Sequence, residues 1–220
     1  MRIKSEFILL ILGLITGYII FYFSLLVTPP ERKMGDLVRI MYIHVPVAWV
    51  SLLSFTLVFV FSILYIFKRD LIWDIYSESA AEIGVLFNFL TLVTGMLWAK
   101  AVWGYYWVWD PRLTTTLILF FLYSSYLLLR GFIDTPDKRA RFSSVLGIII
   151  YVDVLFVYFS VRLWRSVHPS PFAPGDVFIT SSMKYALFLS FIPYLIFFLL
   201  LFLLRYKIGK RAAEKLGVIK

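Results

Sequence analysis

Six uninterrupted apolar runs govern everything this chain can fold into: Phe7–Val27, Val45–Phe67, about Ala80–Ala99, Leu113–Leu129, Phe142–Val161 and Tyr185–Leu204. A helix rises 1.5 Å per residue, so runs of about 17–23 residues match a hydrocarbon core of about 30 Å. The runs are solidly apolar rather than alternating, which excludes a β-barrel. The expected fold is all-α: one polytopic membrane domain, residues 1–220, with six transmembrane helices. Composition agrees. Hydrophobic residues make up 61% of the chain and charged residues 16%, against about 45–50% and about 25% in soluble domains.

Local signals mark some helix starts. Ser79-Ala-Ala-Glu82 fits a capping box for span three. Asp110 can cap span four, with Pro111 at its first position. The basic start Met1-Arg-Ile-Lys4 resembles that of a signal peptide. The run Phe7–Val27 is longer than a signal core, however, and Thr28-Pro-Pro-Glu31 is a poor cleavage site, so this run is read as span one. Gly13 and Gly17 have the spacing of a close helix-packing face. No internal repeat suggests an inverted-repeat transporter.

The net charge of +9 does not indicate nucleic acid as a partner. Most basic residues flank the apolar runs or lie in the tail Arg205–Lys220, where the lipid bilayer and topology account for them. Along six spans they form alternating sets of 14 and 8, and the richer set holds both termini. The bias places the termini in the cytoplasm and turns the loops Thr28–His44, Lys100–Arg112 and Arg162–Lys184 outward. The absence of cysteine excludes disulfides and thiolate chemistry.

The outward face carries the unusual residues. In Trp98-Ala-Lys-Ala-Val-Trp103-Gly-Tyr-Tyr-Trp107-Val-Trp109-Asp110-Pro-Arg112, four of the seven tryptophans fall within twelve positions. An interfacial aromatic belt accounts for Trp98, but a belt draws one or two rings from each span rather than a packed run. As a short helix, Val102–Trp109 would set Trp103 and Trp107 at i, i+4 on one face beside Tyr106. That is a flat apolar platform for a planar aromatic ligand. Asp110 and Arg112 are candidates to orient such a ligand, and Asp110 also fits a plain helix cap.

The only two histidines, His44 and His168, lie on the same expected side, each near a proline that restrains the backbone. Flanking a tryptophan platform, they form a candidate pair of axial haem-iron ligands. Zinc is the rival metal, but a catalytic zinc site normally takes three protein ligands. Haem propionates require cations, and Arg39, Lys100, Arg112, Arg162 and Arg165 lie on or near that face. Within the membrane, Asp153 is an acidic residue deep in an apolar run, with Asn88, Thr91 and Thr94 as candidate hydrogen-bond partners.

The segment Trp103-Gly104-x-x-Trp107-x-Trp109-Asp110-Pro-Arg112-Leu-Thr resembles the tryptophan-rich "WWD" signature of haem-handling proteins in cytochrome c assembly. The span count, the length and the histidine in each flanking outer loop resemble the CcmC family, haem exporter protein C. Larger WWD relatives have more spans and additional histidines. The resemblance implies His44 and His168 as axial ligands of haem b, on a platform that includes Trp103, Gly104, Trp107, Trp109, Asp110 and Arg112. It implies a non-enzymatic role: haem is held at the outer face of the cytoplasmic (inner) membrane and presented to a membrane-tethered chaperone of the CcmE type. The same resemblance implies ABC transporter subunits of the CcmA and CcmB type, a small single-span subunit of the CcmD type, and the WWD segment as the docking surface of the chaperone.

Two other functions compete. A b-type cytochrome acting as a membrane oxidoreductase usually places histidine pairs within spans, often for two haems, and two histidines allow only one such site. A permease fits less well still. No Gly-x-x-x-x-Gly-Lys-Ser/Thr motif occurs, so any ATPase is a separate chain.

The charge bias predicts that reporter fusions after Lys68 and Asp137 read as cytoplasmic and fusions after Lys33 and Ala173 as external. A cytoplasmic signal from the 162–184 loop would put the two histidines on opposite faces and end the argument for a shared site.

Overall fold

A computed structural model of the chain describes residues 5–31, 34–168 and 180–218. The middle of the expected outer loop Arg162–Lys184, with the prolines after His168, lies outside the described residues. So do Arg32, Lys33 and the extreme termini.

Six helices are long and apolar enough to cross a membrane, and no strand occurs among the described residues. They are α1 (Ser5–Tyr22, continued by a π-helical turn Phe23–Val27), α2 (Met41–Lys68, entered through a 3-10 turn Asp36–Ile40), α3 (Leu71–Trp103), α4 (Pro111–Gly131), α5 (Pro136–Leu163) and α6 (Ser181–Lys215). The chain is a multi-pass, all-α membrane protein. With no water to satisfy the backbone in hydrocarbon, helices that close their own hydrogen bonds are the available solution.

The caps lie largely where short polar residues permit. Asp110 caps α4 by accepting from the Arg112 amide at 2.9 Å, with Pro111 in the first turn as expected. Thr180 caps α6 through the Met183 amide. For α3 the expected start is wrong. The helix begins at Leu71, and its cap is Asp70, which accepts from the Ile72 amide at 2.9 Å. Ser79 lies mid-helix and donates back to the Ile75 carbonyl at 2.8 Å. The polar residues that seemed to end the run are each partnered, so the helix continues through them. Asp74 takes a two-pronged ion pair from Arg130 at 2.6 and 2.8 Å, and Glu78 meets the same guanidinium at 3.2 Å. Glu82 pairs with Arg205 of α6.

Helices α2 and α3 form the most extensive pair, with α5 and α6 against α2. Close approach depends on small residues. A Cβ on Gly84 would stand 2.5 Å from the Phe55 ring, so only glycine lets α3 seat against that side chain. Phe55 in turn stacks on Tyr123 of α4, with centroids 3.8 Å apart. The Gly13/Gly17 face packs as its spacing suggests: Gly13 is buried against Ile196, and Gly17 faces Pro193 of α6. Otherwise α1 is largely exposed along its length.

Arg130 and Asp74 are 4% and 3% exposed, so removing one partner leaves a buried unpaired charge. Arg130→Met should cost about 3–5 kcal/mol, read as a lower thermal midpoint in detergent. Asp74→Leu combined with Arg130→Met should recover much of that loss. An unchanged midpoint in the single variant would show that the pair contributes nothing.

Candidate haem-binding site

At the end of the bundle where α2 and α4 begin and α3 and α5 finish, a cavity of about 670 Å³ opens between α2, α3, α4 and α5. That is within the range of about 300–1,000 Å³ typical of ligand sites. Trp98, Trp103 and Trp107 line it together with both histidines.

Val102–Trp109 is not a short helix of its own. Helix α3 runs through to Trp103 and is stopped by Gly104, whose φ of +83° is the left-handed conformation that glycine adopts freely. Residues 105–110 then cross to α4 without helical structure. Trp103 and Trp107 therefore share a cavity wall through a chain reversal rather than through i, i+4 spacing. Trp98 meets Trp103 edge-on at 5.1 Å and has the His168 ring 6.3 Å away. Trp109 packs edge-on against Trp107 at 5.7 Å but is 77% exposed and does not line the cavity. Gly104 acts on the site as a helix terminator.

The two histidines, 124 positions apart in sequence, come together with ring centroids 6.4 Å apart. Two imidazoles sharing one metal ion stand about 6 Å apart: each metal–nitrogen bond is about 2 Å, and a ring radius is added on either side. His44 is in the first turns of α2, whose interior includes Pro46. Its Nδ1 is 2.9 Å from the Thr94 hydroxyl oxygen. Thr94 has one hydroxyl hydrogen, directed to the Leu90 carbonyl at 2.7 Å. The contact to His44 therefore has the ring donating from Nδ1, which leaves the Nε2 lone pair free for a ligand. Gly95 makes room for the ring, since a Cβ there would stand 3.1 Å from His44 Cε1. Neither Thr94 as the partner of His44 nor Gly95 stands out in the sequence. The recoverable signal is their position on α3, one helical turn before Trp98.

Of the five candidate cations, Arg112 and Arg162 line the cavity. Arg39 is paired with Asp36 at 2.8 Å, and Lys100 donates to the Gly104 carbonyl at 2.9 Å over the Tyr106 ring. Asp110 is 5% exposed, and three donors converge on its carboxylate: the Arg112 amide at 2.9 Å, the Ser166 hydroxyl at 3.0 Å and the Val167 amide at 2.8 Å. The expected partners of Asp153 are otherwise engaged. Thr91 donates to the Phe87 carbonyl and Thr94 serves His44, while the Asn88 amide and Asp153 Oδ2 have no hydrogen-bond partner among the described residues. Asn88 instead lines the cavity wall.

Fold and site together define a six-span membrane protein with a tryptophan- and histidine-lined cavity at one end. A family model described as haem exporter protein C (CcmC) matches residues 2–217, and the chain belongs to that family. It is 38% identical over 184 residues to a putative cytochrome c biosynthesis ccmC-like mitochondrial protein of Marchantia polymorpha, covering 81% of this chain and 78% of the relative. It is 30% identical over 197 residues to haem exporter protein C of Paracoccus denitrificans, covering 88% and 78% respectively. The match to the Bradyrhizobium diazoefficiens protein of the same description is 38% over 140 residues, covering 64% of this chain and 53% of that protein. Membership makes the chain a haem-handling component of cytochrome c maturation.

Thr94→Val keeps the side-chain shape but removes the acceptor that fixes His44. On the reading of His44 as a haem-iron ligand, haem titration should show affinity lowered by about 10–100-fold, the usual cost of losing a ligand-orienting partner. Wild-type affinity would show that the hydroxyl does not orient the ring.

Proposed function

We propose that the chain binds haem b at the outer face of the cytoplasmic membrane and presents it to a membrane-tethered haem chaperone of the CcmE type, without chemistry of its own. The observation that carries this reading is the placement of the only two histidines, 6.4 Å apart beside a tryptophan-lined cavity. Among the described residues no group of three or more His, Cys, Asp or Glu gathers as a metal site. Two imidazoles suit an iron whose other four positions are filled by a macrocycle. Trp98, Trp103 and Trp107 offer wide apolar faces to that macrocycle, and Arg112 and Arg162 supply the cations for its propionates. Haem is the cargo here; when bound it brings the iron, and the chain's residues hold and orient it.

The exposed Trp109, with Tyr105 and Tyr106 also exposed in the same segment, supports the WWD segment as the docking surface for the chaperone. Subunits of the CcmA and CcmB type would supply ATP-driven release, with a CcmD-type single-span subunit alongside. Both termini are assigned to the cytoplasm by the charge bias. A membrane oxidoreductase is less well supported, because one site at one end of the bundle provides no chain of centres across the bilayer.

The visible spectrum of protein purified from haem-replete cells tests the reading. A Soret band should be present, weaken in His44→Ala and in His168→Gly, and recover partly in His168→Gly on adding imidazole. Unchanged spectra in both variants would mean that neither histidine binds iron.

A further inference from the structure

Asp110 does more than cap a helix. A cap needs one oxygen accepting from the first turn, and Oδ1 meets that need through the Arg112 amide at 2.9 Å. The same oxygen also accepts from the Ser166 hydroxyl at 3.0 Å, and Oδ2 accepts from the Val167 amide at 2.8 Å. These two donors lie 56 and 57 positions along the chain, beyond the end of α5. Having donated its own hydrogen to Asp110, the Ser166 oxygen accepts from the His168 amide at 3.1 Å. One buried carboxylate thus holds the two residues before His168 directly and His168 itself through one intermediary.

The need for such a tie follows from where His168 sits. His44 is built into a helix, but α5 ends at Leu163 and Trp164 is already extended, so His168 stands on non-helical backbone five residues beyond the helix. A loop of this kind gains a fixed ligand position only by being fastened to something rigid. Asp110 sits at the rigid start of α4 and is 5% exposed, where charge-assisted hydrogen bonds gain strength from the low dielectric.

We propose that Asp110 is a positioning residue: its carboxylate fastens the 166–168 segment to the start of α4 and thereby places His168 opposite His44. The inference rests on the reading of His168 as an iron ligand. It also assigns the acid of the tryptophan segment a task away from the haem surface, since both of its oxygens are engaged by the protein.

Asn caps a helix about as well as Asp, and its one oxygen can keep the Arg112 and Ser166 bonds. Its NH2 would stand opposite the Val167 amide where Oδ2 accepts, so Asp110→Asn keeps the cap and breaks the Val167 arm of the tie. The test uses the full-length protein loaded with haem, with visible and electron paramagnetic resonance spectra, haem retention and imidazole rescue as readouts. Asp110→Asn should reproduce the His168→Gly phenotype. The low-spin, two-nitrogen signature should be lost, haem retention should fall about tenfold, and imidazole should restore both. Ser166→Ala, which keeps the Val167 bond, should give a smaller loss with the same rescue, and it carries the test if Asp110→Asn fails to accumulate. A wild-type spectrum and retention in Asp110→Asn, or in Ser166→Ala where that variant stands in, overturns the tie if His168→Gly is itself defective. An unchanged spectrum in His168→Gly overturns the ligand reading, and the proposed purpose of the tie falls with it.

Discussion

Charged side chains on a membrane-spanning helix are costly unless they are paired, and helix α3 is where this chain pairs three of them. At one end Asp74, Glu78 and Glu82 recur at four-residue spacing, one above the other on a single face. Arg130 of α4 answers the first two and Arg205 of α6 the third. Those pairings fix α3 against two neighbours. The opposite end of the same helix then carries Thr94, Gly95, Trp98 and Trp103 into one cavity. The length of α3, 33 residues, links the two tasks. A helix beginning at Ala80 would have lacked the charged anchor and left Asp74 and Glu78 in a loop.

The cavity joins two kinds of support. His44 is aimed from within a helix, with its ring nitrogen held by Thr94 and its space provided by Gly95. His168 comes from a loop, and its position depends on contacts made by its neighbours. Burying the Asp110 carboxylate has a desolvation cost, offset here by three donors on two oxygens. The asymmetry accords with the proposed delivery role: a side chain on a fastened loop can be withdrawn by local opening, whereas one on a packed helix requires the bundle to move.

Much of this was legible in the sequence because the relevant signals are local or compositional. Six apolar runs give six helices, and Asp110-Pro111 gives the start of α4. The meeting of His44 and His168 followed from counting spans, since both fall at the same end of an alternating bundle. What was not legible depended on partners far away in sequence. The true start of α3 was hidden because Asp74 and Glu78 look like the end of a span until Arg130 is seen beside them. The short helix considered over Val102–Trp109 does not form because Gly104, its third residue, ends α3. A left-handed glycine ended α3 and delivered Trp107 to the cavity by a turn. Among the described residues the Asn88 amide and Asp153 Oδ2 have no hydrogen-bond partner, contrary to the expectation that Asn88 would bond to Asp153.

The tryptophan segment divides by exposure rather than by motif. Trp103 and Trp107 turn inward to the cavity, while Trp109 turns out and is 77% exposed. An aromatic belt would place such rings around the bundle at one depth. Here three tryptophans of the segment line one cavity with two histidines and two arginines, and the segment's fourth faces away. Inward rings add apolar area and fixed shape around a planar guest, whereas an outward ring beside it can contact a second molecule only at the surface. A site that both holds a ligand and hands it on needs these two faces within reach of one another. The turn after Gly104 supplies them from a single short stretch of chain.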